Sequence, residues 1–168
     1  IDPERRYITG LSSGGGMTVA AAIAYNEYFA AAAPTAGLAY DDESMSVTSE
    51  QFRSLSQHVS SIENELDSDR HIPIMVVQSS NDEVVRINAG RLIRDSHLTA
   101  FDADLNVDAQ MDCTEDGISC TLMDYNDSDG NLLVRTMFYN GPTAGTQSGS
   151  LGAGHYWGGD DADSNAWC

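Results

Sequence analysis

Three residue types in this chain could together transfer an acyl group. Ser12 sits in Gly10-Leu11-Ser12-Ser13-Gly14, a Gly-x-Ser-x-Gly pattern between the β-type run Arg6-Tyr7-Ile8-Thr9 and an Ala-rich helical segment. A serine on a sharp strand-to-helix turn has its hydroxyl exposed, and residues without a Cβ let strand and helix approach at the turn. Gly10 and Gly14 are the expected providers of that room. By itself the pattern is weak in a chain with 15 glycines, where a loop without chemistry would look alike. The flanking strand and helix give it weight.

A serine hydroxyl attacks a carbonyl only when a histidine takes its proton, and a carboxylate must fix that histidine's tautomer. Asp82 follows the apolar run Ile72 to Gln78, and His155 lies in Gly152-Ala153-Gly154-His155-Tyr156-Trp157-Gly158-Gly159. His155 is the one histidine of four in a Gly-rich loop, whose backbone can bend towards Ser12. Tyr156 and Trp157 are expected to wall the site or stack on substrate. Asp82 could instead cap the helix that follows, and Asn81 or Glu83 could take the orienting role. The Ser13 backbone N–H is the expected oxyanion donor. Only nine residues precede Gly10, so a second donor from an upstream loop is expected to come from outside this sequence.

The elements that must position these groups alternate between strand and helix. Arg5 to Thr9 reads as a buried strand, Met17 to Ala24 as helix, and Phe29 to Leu38 as a small-residue central strand. Phe52, Leu55, Val59, Ile62 and Leu66 recur at helical spacing after a candidate capping box, Thr48 with Gln51. His58 on that helix reads as a surface or partly packed histidine. Ile72 to Gln78 is a continuous apolar run, the mark of a strand buried on both faces. Val84 to Leu98 follows as helix, with His97 in the last turn where a positive charge suits the helix dipole. Thr99 to Gly117 is polar and acidic. Ile118 to Tyr125 and Leu132 to Tyr139 read as two strands joined by the turn Asn126 to Asn131, whose carboxylates miss the calcium-loop register. In open α/β sheets functional groups gather at the strands' carboxyl ends, and the order Ser, Asp, His is that of an α/β-hydrolase.

Composition limits the partners. The 168 residues suit one domain that buries about 70% of its unfolded surface. Twenty-six acids against eight bases, all arginine, give a formal charge of -18, which repels nucleic acid and anionic membrane surfaces. The same charge suits a saline habitat, or is ordinary surface variation. Cys113 and Cys120 lie seven apart in a stretch resembling a hairpin, so a disulfide is expected. Cys168 is left over, and no spacing fits a zinc site.

The segments Gly10 to Thr18, Phe29-Ala30-Ala31-Ala32-Ala33 with Ala36-Gly37-Leu38, Asn81-Asp82-Glu83-Val84-Val85 and Gly154 to Gly159 resemble the polyhydroxybutyrate depolymerase family of esterases. Feruloyl and acetyl xylan esterases are related to that family. The resemblance implies an α/β-hydrolase fold with a mostly parallel sheet and flanking helices, here without the N-terminal strands, in a single catalytic domain over residues 1–168. It also implies secretion and a serine esterase without metal or cofactor, with Ser12 as nucleophile, His155 as base and Asp82 as its partner. Polyester hydrolysis is the expected activity. A feruloyl or acetyl xylan esterase is the alternative, peptidase activity a further one, and a catalytically silent binding fragment the rival of another class. The expected partners are an ester substrate and the rest of its own domain.

Overall fold

A computed structural model describes residues 2, 5–42, 53–115, 118–141 and 154–155. Among them the chain runs β1 (Tyr7–Leu11), α1 (Ser13–Ala24), β2 (Ala31–Thr35), α2 (Leu55–Glu65), β3 (Ile74–Ser79), α3 (Ile87–Ala100), β4 (Ala109–Glu115), β5 (Ile118–Asn126) and β6 (Leu132–Tyr139). The described strands form one sheet in the order β1-β2-β3-β6-β5-β4. From β1 to β6 the pairing is parallel, and β6, β5 and β4 pair antiparallel. Leu11, Thr35, Val77 and Met137 lie in register across the four parallel strands. The carboxyl ends of β1, β3 and β6 therefore share one edge of the sheet. This is the expected α/β architecture.

All three helices feed one core. Val19, Ala22 and Ile23 of α1, Ile62 of α2, and Ile93 and Leu98 of α3 pack on Ala32, Ile74, Val76 and Val134 of the sheet. Strand side chains alternate between faces. Tyr7 and Thr9 are consequently exposed, and Met75 and Val77 only half-buried, because they point away from the described helices. Both β1 and β3 are thus more one-sided than their apolar sequences predict. An apolar run reports side-chain character and does not say which face finds a cover.

Several boundaries move for local reasons. The Thr48 and Gln51 box lies outside the described residues, and α2 instead begins at Ser54. That hydroxyl accepts from the Gln57 N–H while Oε1 of Gln57 accepts from the Ser54 N–H. His58 is not a surface residue: it is fully buried, and its Nδ1 lies 2.7 Å from the Tyr40 carbonyl. His97 is buried too, with Nε2 2.9 Å from the Ile72 carbonyl, and burial pushes its pKa down to about 4. It therefore packs as a neutral ring and not as the charged dipole partner its position suggests.

The polar stretch after α3 holds β4, whose Ala109 to Glu115 pair with Asp124 to Ile118. Cys113 and Cys120 face each other in that register and are joined by a disulfide. In the β5–β6 turn, Asp127 Oδ1 accepts from the Asp129 and Asn131 N–H groups and Gly130 has φ 82°. The acidic turn is thus held by its own backbone. Cys168 lies outside the described residues.

Candidate active site

Ser12 joins β1 directly to α1. Its φ of 58° and ψ of -120° are unfavourable for a residue with a Cβ, at a cost on the order of 1–3 kcal/mol. Two bonds hold it there: its N–H donates to the Thr35 carbonyl (3.0 Å), and its carbonyl accepts from the Gly16 N–H (3.0 Å). A serine before a helix ordinarily caps it. Here the hydroxyl makes no cap bond. The Ser13 N–H, at the first helical position, has no acceptor within the helix and is available to a developing oxyanion.

Tight packing explains why these residues turn so sharply, with one change from expectation. A Cβ on Gly10 would overlap the Gly14 carbonyl and stand 2.9 Å from Thr18 Oγ1, so Gly10 is required. Gly14 has open space around it. The second required glycine is Gly15, where a Cβ would meet the Thr35 carbonyl at 2.5 Å and the Gly37 Cα at 2.9 Å. The pattern Gly-x-Ser-x-Gly thus marks the elbow correctly while misplacing one of its two close approaches by a residue.

Asp82 and His155 meet at the same end of the sheet. Asp82, three residues past β3, and His155, beyond β6, are both buried, and His155 Nδ1 lies 2.8 Å from Asp82 Oδ2. A carboxylate can only accept, so Nδ1 carries the proton and Nε2 presents its lone pair. Nε2 is itself buried and has no hydrogen-bond partner among the described residues. Such an orphaned acceptor is costly to bury, and it is what a general base awaiting a hydroxyl proton would show.

Asp82 does not cap α3, whose N-cap is Arg86. Its Oδ1 instead accepts from the Val84 and Val85 N–H groups, both at 2.8 Å, which locks the turn after β3. The alternatives fall away: Asn81 Nδ2 donates to Asn140 Oδ1 and the Gly141 carbonyl, and Glu83 is exposed. Gly154, at φ 73°, lies against the Asn81 and Asp82 backbone, where a Cβ would come within 2.5 Å of Asn81.

Sequence reasoning missed Gln78. This fully buried amide donates from Nε2 to the Val85 carbonyl (2.8 Å) and to Asp82 Oδ2 (3.2 Å). Both partners are acceptors, which fixes which end of the amide faces them. Gly90 makes room for it, since a Cβ there would stand 3.2 Å from Gln78 Cβ. The available signal was a lone polar residue closing an apolar strand. Tyr156 and Trp157 lie outside the described residues.

A cleft of about 350 Å³ opens beside the elbow, lined by Ser13 and Met17 of α1 and by Leu38 to Asp42. A larger one of about 430 Å³ lies at the amino end of β3, lined by Asp67, Asp69 and Asp102, and includes none of Ser12, Asp82 and His155. No group of three His, Cys, Asp or Glu among the described residues could hold a metal ion.

The sheet, the strained serine turn and the buried carboxylate–imidazole pair together define an α/β-hydrolase. Residues 1–111 match the prolyl oligopeptidase family, peptidase family S9, and the chain belongs to it. That segment carries Ser12 and Asp82. Among solved structures, the chain is similar to an acetyl xylan esterase from Aspergillus awamori, with a TM-score of 0.65 and 19% identity over 82% of this chain. The match takes in 53% of that esterase, so the chain spans about half its length. A thermostable esterase is 31% identical over 60% of this chain and 21% of its own, with a TM-score of 0.41. A PHB depolymerase in complex with an R3HB trimer is 11% identical over 92% of this chain and 86% of its own, at 0.47. No curated protein sequence matches the chain.

Proposed function

We propose that the protein is a serine ester hydrolase working through an acyl-enzyme on Ser12. The observation that carries this reading is the buried His155–Asp82 pair, with Nε2 left without a partner among the described residues, at the carboxyl end of the sheet where Ser12 stands. His155 takes the Ser12 proton as the oxygen attacks the ester carbonyl, and the Ser13 N–H receives the oxyanion. Collapse expels the alkoxide, which takes the proton back from His155. Water activated by the same imidazole then releases the acid.

The substrate proposed first is a polyester such as poly(3-hydroxybutyrate) or its oligomers, on the strength of the segments from Gly10 to Thr18 and from Gly154 to Gly159. Acetyl or feruloyl esters of plant polysaccharide are the alternative, in keeping with the fold of the Aspergillus esterase. The family match favours a second reading, a peptidase acting beside proline, because the elbow serves both reactions. Secretion is proposed too, supported by the disulfide between Cys113 and Cys120.

Labelling with a fluorophosphonate tests the mechanism. An adduct on Ser12, absent in Ser12→Ala and slowed at least a hundred-fold in His155→Ala, is expected. A folded chain that takes no label, alone or within any longer natural form, would instead be a silent binding fragment. Hydrolysis of 3-hydroxybutyrate oligomers, acetylated xylan and a proline-containing peptide then separates the substrates.

A further inference from the structure

We propose that the cleft beside Ser13 is the subsite for an uncharged, apolar acyl group of modest size. The proposal deepens the esterase reading and rests on it. Ser13, Gly16, Met17 and Ala20 line one wall. They fall at i, i+3, i+4 and i+7, so a single face of α1 runs from the oxyanion donor into the cleft. Leu38, Ala39 and Tyr40 form the opposite wall.

The first two turns of α1 are built to keep that gap open. Glycine inside a helix costs roughly 0.5–1 kcal/mol relative to alanine. At Gly15 the close approach of β2 demands it, but a Cβ on Gly16 would meet nothing nearer than the Leu38 N at 3.8 Å. Backbone packing therefore does not require Gly16, whereas any longer side chain there would enter the cleft. Met17 is 66% exposed, an adaptable apolar side chain left in solvent five residues from the nucleophile.

The far wall continues into Asp41 and Asp42, whose carboxylates disfavour an anionic acyl group. His58 Nδ1 donates to the Tyr40 carbonyl at 2.7 Å from a fully buried ring. Burial, reinforced by the Glu65 carboxylate, pushes the Tyr40 hydroxyl up to about 12, so it stays a neutral phenol. The Asp41 carboxylate is engaged by Ser61 and Arg53. A cleft of about 350 Å³ is at the small end of ligand sites, which suits a short chain or a single ring. The acyl group stays bonded to the serine through both half-reactions, so a subsite on the helix that carries the oxyanion donor acts on both.

The test is kcat/KM for p-nitrophenyl esters from acetate to octanoate, and for acetate esters of increasingly long alcohols, with circular dichroism melts to confirm folding. For the parent chain, kcat/KM should rise roughly four-fold per methylene of the acyl group until the cleft is full. Gly16→Leu and Met17→Trp should move the optimum to shorter acyl chains, lowering the hexanoate-to-acetate ratio at least ten-fold, and Leu38→Ala should move it to longer ones. Ser12-dependent hydrolysis with acyl profiles that coincide across these folded variants, or selectivity confined to the alcohol series, overturns the subsite while leaving the esterase reading intact. Absence of any Ser12-dependent ester hydrolysis, from this chain and from any longer natural form, overturns both.

Discussion

His155 Nδ1 lies 2.8 Å from Oδ2 of Asp82, a residue 73 positions earlier, and both side chains are buried. The approach depends on Gly154, whose missing Cβ lets its own backbone rest on that of Asn81 and Asp82. Asp82 is held in turn by the Val84 and Val85 N–H groups on one oxygen and by Gln78 on the other. The carboxylate is thus fixed before it orients the imidazole, so no substrate binding energy goes into assembling the pair.

Replacing Asp82 tests that division of labour. Asp82→Asn keeps an oxygen for the Val84 and Val85 N–H groups but no longer stabilises an imidazolium, so ester kcat should fall roughly 10³- to 10⁴-fold. Asp82→Ala should lose the turn bonds as well, costing about 2 kcal/mol more in stability. Steady-state kinetics and urea unfolding of both variants separate the roles. Equal stability of the two would show that the turn does not depend on the carboxylate.

Ser12 stores strain that the fold does not need. At φ 58° and ψ -120° a glycine is relaxed, whereas an alanine keeps the clash. Both Ser12→Gly and Ser12→Ala should be inactive. The glycine variant should be the more stable of the two by about 1 kcal/mol, the strain relieved less the entropy glycine loses on folding. Melting temperatures in the reverse order would mean that the turn is not strained.

How much of this was visible beforehand depends on the range of the interaction. Ser12 announces itself because elbow, strand and helix are contiguous, and Asp82 because it ends a conspicuous strand. His155 follows from its type and its glycines. Other features that depend on a distant partner were misread. Gly15 is required only because β2 passes beneath it. His58 reads as a surface or partly packed residue and His97 as a charged dipole partner until the Tyr40 and Ile72 carbonyls are brought to their rings. The strand β4 has a polar sequence and exists through its pairing with β5. Gln78 was passed over because a glutamine among apolar residues has no stated purpose until Asp82 and Val85 are seen beside it.

The disulfide should serve the sheet edge and not the active site. Cys113 and Cys120 close a loop of eight residues on β4 and β5, with Cα atoms 4.9 Å apart, and these strands lie at the opposite side of the sheet from β1. In the chain-entropy model such a loop is worth about 2.5 kcal/mol. Replacing both cysteines by serine should lower the melting temperature by roughly 5–10 °C. Hydrogen exchange should accelerate first in Ala109 to Glu115, while fluorophosphonate labelling of Ser12 persists. Loss of labelling at a temperature where the rest of the sheet remains protected would mean that the hairpin supports the site after all.

His97 gives the fold a specific sensitivity to acid. The ring is enclosed, donates Nε2–H to the Ile72 carbonyl and packs against Phe101 with centroids 4.7 Å apart. Burial, aided by the nearby His71, lowers its pKa from 6.5 to about 4. The unfolded chain therefore binds this proton more readily than the folded one. The neutral ring's contribution is complete above pH 6.5 and is lost as the pH falls through 4, to a total of about 3 kcal/mol. Asp124 and Asp127, held below the usual carboxylate range by the Arg135 side chain and the Asn131 N–H respectively, release their share at lower pH, around and below their unfolded value of 3.8. Between pH 6.5 and 4 the imidazole should therefore dominate. His97→Gln retains a donor for Ile72 but cannot titrate. Urea unfolding at pH 7, 6, 5 and 4 should show the parent losing stability steeply across this window and the variant far less, and parallel curves would mean that His97 does not govern the acid limb.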